Sequence, residues 1–195
     1  MYLFGASGHA KVIFEIVKAI GLHVDGVFDD NEHARSLFDI KVEHIWRGES
    51  PMIICVGNNR VRKSIAMRLN CAFSKAVHPS SIVSASVTIG DGSVVMAGAI
   101  INAESHVGKH CIVNTGASID HDCEIDDYVH ISPHATLCGN VQVGEGSWIG
   151  AGSTVIQGIK IGKWCTIGAG SVIIRDVPDG ATVVGVPAKE IKAKV

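Results

Sequence analysis

Aliphatic residues recur every six positions through the second half of this 195-residue chain. A period of six fits neither an α-helix, whose apolar positions repeat every 3.6 residues, nor an isolated strand, in which they alternate. It is the hexapeptide signature of a parallel β-helix, in which each repeat supplies one short strand. The repeated positions are Val83, Ile89, Val95, Ile101, Val107, Val113, Ile119, Ile125, Ile131, Leu137, Val143, Ile149, Val155, Ile161, Ile167 and Ile173.

A longer period of 18 residues is contained in the first. Glycine follows the aliphatic residue at Gly90, Gly108, Gly144 and Gly162, and Asp126 occupies the remaining step. Three hexapeptides therefore make one coil of a triangular prism, whose aliphatic side chains point to the axis. With neighbouring coils about 4.8 Å apart, about five coils give a prism roughly 25 Å long.

Residues 1 to 76 have a different pattern. The stretch "MYLFGASGHAKVIFEIVKAIG" predicts a short buried strand, a glycine turn and a helix whose apolar residues follow the 3.6-residue period. "VDGVFDDN" and "MIICVGNN" predict two more strands, and "RVRKSIAMRLN" predicts a second helix. This alternation is typical of a small parallel α/β, Rossmann-like domain. We therefore predict an α/β domain over residues 1–76, a β-helix over 77–177 and a C-terminal tail over 178–195.

Glycine and polar residues follow the predicted strands of the α/β domain. Ligands of parallel sheets bind beyond the carboxyl ends of the strands, which here carry Gly5–His9, Asp29–Asp30 and Gly57–Asn59. The "GASGHA" turn could be only a tight connection between strand and helix, but its convergence with two other strand ends favours a ligand. Backbone N–H groups at a helix N-terminus can hold a pyrophosphate, and Asp29 or Asp30 can accept hydrogen bonds from a base or ribose.

Composition and charge exclude several classes of protein. The formal charge of −2 gives no basic excess for nucleic acid. No apolar run approaches the roughly 18 residues that span a bilayer, and the N-terminus lacks the charged and apolar regions of a signal peptide, so we expect a cytoplasmic protein. The six cysteines contain no C-x-x-C pair and are expected to be reduced. Cys111, Cys123 and Cys165 follow an aliphatic residue by four positions and are expected in the β-helix core.

The most polar part of the repeats is "DHDCEIDDYVHISP", residues 120–133. His121 lies two positions after the inward Ile119, and His130 lies one position before the inward Ile131, so both histidines should face outward. A histidine beside carboxylates is a candidate for proton transfer near neutral pH. On an isolated prism it would be a surface residue, whereas between neighbouring prisms of an oligomer it would line a cleft. The other histidines of the repeats are expected at the surface: His106, His110 and His134.

Six segments together resemble bacterial nucleotide-sugar acetyltransferases of the sialic-acid O-acetyltransferase-like (NeuD/PglD) family: "GASGHAKV", "FDD", "VGNNRVRK", "VHPSSIVSASV", "VNTGASIDHDCEIDDYVHISPHATLCGNV" and "GVPAK". The resemblance covers essentially the whole chain. It implies a left-handed β-helix, a homotrimer and acetyl-CoA as co-substrate. It also implies transfer of the acetyl group to an amine, most often the 4-amine, of a UDP- or GDP-linked deoxysugar.

The resemblance assigns site residues by matching motif positions. Its general base falls on His121 and the neighbouring acid on Asp122, where some relatives carry Glu. The acetyl-CoA contacts fall on His130, which touches the thioester, and on Gly139, Ala151 and Ala169. The nucleotide-sugar contacts fall on Gly8, His9, Asp29, Asp30 and Gly57.

The implied chemistry needs few groups. A sugar amine must be unprotonated to attack the thioester carbonyl, and the tetrahedral intermediate must lose a proton. His121 would take that proton, while Asp122 or Asp120 fixes its tautomer. Direct transfer in a ternary complex needs no covalent enzyme intermediate.

Three alternatives remain open at this stage. The acceptor could be a hydroxyl, as in O-acetylation of a sugar such as sialic acid. Zinc enzymes of the γ-carbonic-anhydrase kind also use trimeric β-helices, although no two of the five repeat histidines share a position in the 18-residue coil, and we expect no metal. A non-catalytic nucleotide-sugar-binding protein would need only the N-terminal domain. For the trimer, the apolar outward residues Val94, Ile112 and Val172 are expected to lie between prisms.

Overall fold

A computed structural model describes residues 1–191 of the chain. Its N-terminal part is an α/β sheet in which the strands follow the order β3-β4-β2-β1-β5. All neighbours pair in parallel except the β3–β4 hairpin. The elements are β1 (Tyr2–Phe4), α1 (Gly8–Ala19), β2 (Gly26–Phe28), β3 (Ser36–Leu37), β4 (Ile40–Glu43), β5 (Met52–Ile54) and α2 (Asn59–Leu69). This confirms the predicted small parallel α/β region.

The sheet is covered by one helix on each face because side chains alternate along its strands. Leu3 belongs to the core that contains the buried face of α1. Its neighbour Phe4 belongs to the core that contains Ile65 and Leu69 of α2. The two helices therefore begin at the same edge of the sheet, beyond the carboxyl ends of β1 and β5.

The repeats form a parallel β-solenoid of two-residue strands, as the six-residue period predicted. In each strand the second residue points to the axis and the first points outward. The strands are β6 (Ala76–Val77), β7 (Ile82–Val83), β8 (Thr88–Ile89), β9 (Val94–Val95), β10 (Ile100–Ile101), β11 (His106–Val107), β12 (Ile112–Val113), β13 (Ser118–Ile119), β14 (Glu124–Ile125), β15 (His130–Ile131), β16 (Thr136–Leu137), β17 (Gln142–Val143), β18 (Trp148–Ile149), β19 (Thr154–Val155), β20 (Lys160–Ile161), β21 (Thr166–Ile167) and β22 (Val172–Ile173).

Every third strand stacks on the same wall, so the prism has three walls. The docking wall contains β6, β9, β12, β15, β18 and β21 and faces the N-terminal domain. The uncharged wall contains β7, β10, β13, β16, β19 and β22. The charged wall contains β8, β11, β14, β17 and β20. The docking wall is extended by β23 (Thr182–Gly185) and β24 (Ala188–Ile191), within the segment predicted as a tail.

The core of the prism holds the predicted aliphatic residues together with the buried Cys111, Cys123 and Cys165. At the first coil, Val83 and Ile89 are only partly buried because no earlier coil covers them. All six cysteines are free thiols. The division of the chain at residues 76 and 177 stays a prediction.

Glycine is needed at these corners because neighbouring coils approach closely, and not because the backbone there is left-handed. A Cβ on Gly90 would lie 2.6 Å from the backbone of Gly108 in the next coil, so these positions require close approach between coils. The left-handed residues come two positions later and recur every six residues. Several are not glycine, including His110, Asp122, Tyr128, Asn140 and Trp164.

The N-terminal domain packs on the docking wall. Val94 and Ile112 are both 1% exposed and belong to the same core as Ile13 and Ile16 of α1. The expectation that Val94 and Ile112 lie between subunits is therefore wrong, since helix α1 of their own chain covers them. Within residues 1–191, neither helix is long and apolar enough to cross a membrane.

Candidate active site

Four of the predicted site residues meet where the helix ends face the docking wall. His130 projects from β15, and its ring centroid lies 6.5 Å from that of His9 near the start of α1. The loop after β5 brings Gly57 to the same place, beside a groove of about 460 Å³. Gly8 is the first residue of α1, whose N-terminus has no side-chain cap and no acidic residue in its first turn. This group is called the docking-wall site (Gly8, His9, Gly57 and His130).

The hydrogen bonds of His130 fix its tautomer. The Thr115 amide donates to Asn114 Oδ1 at 2.8 Å, so the Asn114 amide nitrogen is the donor towards His130 Nε2 at 3.1 Å. His130 Nε2 is therefore the acceptor, and Nδ1 carries the proton. Since its only basic nitrogen is already occupied, His130 is suited to contact a substrate and not to remove a proton from one.

Burial and a nearby cation keep the two histidines of this site uncharged. Burial, followed by the charge of Arg62, lowers the pKa of His9 to about 4 and that of His130 to about 3. The backbone of Gly57 acts on His130 in the opposite direction but does not cancel these effects. Both imidazoles are therefore uncharged at neutral pH.

His121 has the opposite environment. It follows β13 at the corner between the uncharged and charged walls, and its side chain is 60% exposed. His121 Nδ1 lies 2.6 Å from Asp122 Oδ2, which leaves Nε2 free to face a substrate. The hydrogen bond with Asp122, and then the charge of Asp120, raises the pKa of His121 above its usual value. A histidine held in this way has the properties of a general base.

The two neighbouring carboxylates have separate tasks. Asp120 Oδ1 accepts hydrogen bonds from the Asn102 amide and from the His121 backbone N–H, both at 2.9 Å. These bonds hold the pKa of Asp120 below its usual range. Asp122, whose φ of 58° is left-handed, is the carboxylate that reaches the ring. Asp122 therefore orients His121, and Asp120 holds the backbone beside it.

Gly139 forms the support beneath the His121 ring. It lies one coil further along, where a Cβ would stand 2.6 Å from Cε1 and 2.7 Å from Nε2 of His121. Only glycine leaves room for the ring at this corner. The structure thus brings Gly139 together with His121 and Asp122, and these three are called the corner site.

Gly139→Ala should displace His121 and reduce turnover about 10- to 100-fold, because small displacements of a catalytic group are costly. Steady-state rates with acetyl-CoA and an amino-sugar nucleotide would measure this effect. The matched control is the same change in the His121→Ala background, where no ring remains to be displaced and a further loss should not occur. An equal loss in both backgrounds would mean that the methyl group disturbs the coil and not the histidine.

Ala151 and Ala169 lie on a different edge of the prism. They are exposed at successive coils of the corner between the docking and uncharged walls. The corner site lies on the other edge of the uncharged wall. Within one chain, the residues matched to acetyl-CoA binding are therefore split between separate edges.

Asp29 and Asp30 lie at the end of β2 and already have partners. Asp29 accepts the Ala6 amide at 2.7 Å and the Asn31 amide at 2.8 Å, and so ties the "GASGHA" turn to the second strand. Asp30 pairs with Arg68 at 2.8 Å. Both line a cavity of about 240 Å³ together with Trp46. Their contact with a nucleotide stays a prediction.

Some residues around the site were not predicted. His110, expected at the surface, is 5% exposed, since its ring stacks on Tyr128 and meets Phe73 edge-on. Arg62 is 1% exposed and joins α2 to the prism. Its position could have been noticed, because Arg62 falls in the helical stripe that contains Ile65 and Leu69.

The burial of neutral histidines predicts that the folded state loses stability in acid. Burial is the main cause that lowers the pKa of His110 to about 4, beside the lowered values of His9 and His130. Because the unfolded chain binds protons at about pH 6.5 and the folded chain does not, stability should be full above that pH and fall towards pH 4. The exposed His121 has the opposite sign and a smaller effect because solvent screens it.

Denaturant unfolding at several pH values would measure the slope of stability against pH. Up to three protons should be taken up on unfolding between pH 6.5 and 4. His110→Phe should reduce that uptake by about one proton and keep the aromatic packing. A wild-type stability that does not change over this range would contradict the burial of these groups as neutral imidazoles.

In the part of the chain that the structure describes, no three His, Cys, Asp or Glu side chains are grouped so that they could hold a metal ion.

Comparison with known proteins gives solved structures that match nearly the whole chain and family models that match parts of it. Residues 1–69 match the PglD N-terminal domain, residues 80–103 a hexapeptide repeat of succinyl-transferase, and residues 140–175 the bacterial transferase hexapeptide. A histidine-to-asparagine mutant of perosamine N-acetyltransferase from Caulobacter crescentus, solved with CoA and GDP-perosamine, is 37% identical. That match has a TM-score of 0.94 and covers 98% of this chain and 96% of the other.

Two further relatives are similar. The acetyltransferase domain of PglB from Neisseria gonorrhoeae, solved with acetyl coenzyme A, is 39% identical with a TM-score of 0.90 and covers 97% of this chain and 98% of that chain. UDP-N-acetylbacillosamine N-acetyltransferase from Bacillus subtilis is 43% identical over 108 residues. That match covers 49% of this chain and spans only half the length of that relative.

Proposed function

This chain belongs to the PglD-like family of hexapeptide-repeat sugar acetyltransferases, and we propose that it transfers the acetyl group of acetyl-CoA to an amino group of a nucleotide-linked deoxysugar. The observation that carries the proposal is the corner site, where an exposed histidine is oriented by one carboxylate and supported by one glycine. Since acetyl-CoA is a cytoplasmic metabolite, the reaction belongs in the cytoplasm.

In the proposed reaction the sugar amine attacks the carbonyl carbon of the thioester directly. A C–N bond forms, and the C–S bond then breaks to release CoA. His121 Nε2 removes the proton that the attacking nitrogen must lose, and Asp122 stabilises the resulting imidazolium through Nδ1. The proton can leave on the CoA thiol, so the step requires no other reactant.

The docking-wall site is suited to the acceptor. The uncapped N-terminus of α1 offers backbone amides from Gly8 onwards to a diphosphate. His130, which is matched to the acetyl-CoA thioester, presents an uncharged ring with a fixed Nδ1–H beside it. The adjoining groove, lined by Trp148 and Trp164, is large enough to hold a sugar ring and has an aromatic surface on which one can stack.

A complete site requires more than one copy of the chain. The docking-wall site and the corner site lie on different sides of the prism, separated by the uncharged wall or by the charged wall. The outward residues of the uncharged wall carry no charge, and all except Ser118 are apolar or β-branched. They are Ile82, Ile100, Ser118, Thr136, Thr154 and Val172. We infer that this wall, which includes Val172, forms the contact of a homotrimer and places His121 of one copy beside the docking-wall site of the next.

Consumption of acetyl-CoA by the purified protein, measured against a panel of UDP- and GDP-linked amino sugars and their hydroxyl analogues, tests the proposed function. Turnover with an amino sugar and not with its hydroxyl analogue is expected. Turnover only with hydroxyl acceptors would mean O-acetylation. Nucleotide-sugar binding without any turnover would mean a binding protein, and activity that depends on added zinc would mean a metalloenzyme.

A further inference from the structure

Arg62 of α2 is a buried cation whose hydrogen-bond partners are all neutral. Its guanidinium donates to the backbone oxygens of Val56 and Gly57 at 2.9 and 3.1 Å and to Asn59 Oδ1 at 2.8 Å. It also donates to the backbone oxygens of His110 and Tyr128, at 2.8 and 2.9 Å, in two successive coils of the prism. No carboxylate of residues 1–191 forms a salt bridge with it.

These bonds join three parts of the molecule at one point. Val56 and Gly57 belong to the loop of the docking-wall site, Asn59 begins helix α2, and His110 and Tyr128 are left-handed corner residues of the prism. Asn59 continues the connection to a third coil through the backbone oxygens of Gly146 and Ser147. The guanidinium is the centre of this network because it presents several donors in a fixed plane.

A buried charge without a counter-ion is costly, and the five hydrogen bonds of Arg62 offset part of that cost. Four of the accepting oxygens belong to the backbone, and an apolar side chain in the stripe of Ile65 and Leu69 would leave them without this donor. The bond to the Gly57 carbonyl is different, because Gly57 and His130 line the same groove and the Gly57 backbone acts on the His130 ring. Fixing that carbonyl fixes one side of the groove against the His130 ring.

We propose that Arg62 is a positioning residue of the acetyl transfer, which holds the Gly57 loop against the His130 ring in the groove that they share. This inference rests on the proposed function for its kinetic test. The charged and titratable groups that act on His130 are Arg62 and His9. The proposal also makes a statement about His130 that needs no substrate.

Arg62→Met and Arg62→Lys test the proposal. Methionine removes the charge and all donors, and lysine keeps the charge but not the planar set of donors. Both variants should lose about 100-fold or more in kcat/KM for the nucleotide sugar, because a displaced contact is costly. In ¹⁵N NMR spectra, the His130 ring of Arg62→Met should keep the tautomer that Asn114 fixes, but its Nδ1 signal should shift because the Gly57 loop beside it is no longer held. The pKa of His130 should also rise, because the charge of Arg62 is one of the causes that lower it.

Lys63→Met is the matched control. Lys63 is the next residue of α2 and also joins the helix to the prism, through its ion pair with Glu145, but it does not reach the Gly57 loop. This variant should keep kcat/KM within about threefold and leave the His130 spectrum unchanged. If Lys63→Met lost as much activity as the Arg62 variants, general attachment of the domain would explain both and the proposal would be wrong.

The other outcomes also decide for or against the proposal. A folded Arg62→Lys with normal kcat/KM and a normal His130 spectrum would overturn the proposal, and so would failure of both Arg62 variants to fold, which would make Arg62 purely structural. If the wild-type protein acetylates no amino sugar, the proposed function fails. In that case the NMR comparison of wild type, Arg62→Met and Lys63→Met still tests whether Arg62 holds the Gly57 loop against the His130 ring.

Discussion

His121→Ala should reduce kcat by about 10² to 10⁴, the usual range for loss of a proton-transfer group. The fold should be unaffected, because the side chain is 60% exposed and contributes nothing to the core. The affinities for acetyl-CoA and for the nucleotide sugar should stay within a small factor. Steady-state kinetics together with calorimetry for each ligand would separate the loss of chemistry from a loss of binding.

The dependence of the rate on pH is the most specific test of His121 as the general base. The base acts only when it is unprotonated, and Asp122 raises the pKa of His121. The wild-type rate should therefore rise with pH through an inflection above the usual histidine value. Asp122→Asn should move that inflection to lower pH and cost less than His121→Ala, since the base itself remains.

Near-normal turnover of His121→Ala at neutral pH would contradict the assignment. His130 is not a ready substitute, because its Nε2 accepts from Asn114 and its pKa is lowered to about 3. A pH inflection that persisted in His121→Ala would mean that another group, or the substrate amine itself, titrates in the observed range.

The fold could be predicted from the sequence because one rule governs most of the chain. A two-residue strand can point only one side chain to the axis of the prism, so the inward position must be aliphatic at every repeat, as at Ile119 and Ile131. The outward phase of His121 followed from the same count. The corner that carries it could not be predicted in detail, since the support from Gly139 depends on a contact between coils.

Contacts between the two domains could not be predicted from the repeat pattern. Val94 and Ile112 have the outward phase that would suit a subunit contact, yet helix α1 covers them. His110 has the phase of a corner residue and is nevertheless enclosed by Tyr128 and Phe73. Tyr128 lies one coil after His110, as the 18-residue period predicts, but α1 and Phe73 lie outside the repeats, and no period of the repeats encodes where they pack.

Thr136→Arg should convert the proposed trimer to single chains and reduce activity by about 10³-fold or more. Thr136 lies in β16 near the middle of the uncharged wall and is half-buried even in one chain. An arginine there would place three like charges around one axis without partners, which is a large penalty at an apolar contact. Since each docking-wall site would then lack a His121, both the proton acceptor and the alignment of the substrates would be lost. Light scattering and turnover should change together.

Two controls make this result specific to the shared site. Gln142→Arg adds the same charge to the exposed charged wall and should leave both the mass and the rate unchanged. Mixing His121→Ala with His130→Ala, each nearly inactive alone, should restore part of the activity after subunit exchange, because some sites then receive an intact His121 from one chain and an intact His130 from another. A monomeric Thr136→Arg that kept its activity, or a mixture that recovered none, would show that the two groups do not meet across the uncharged wall.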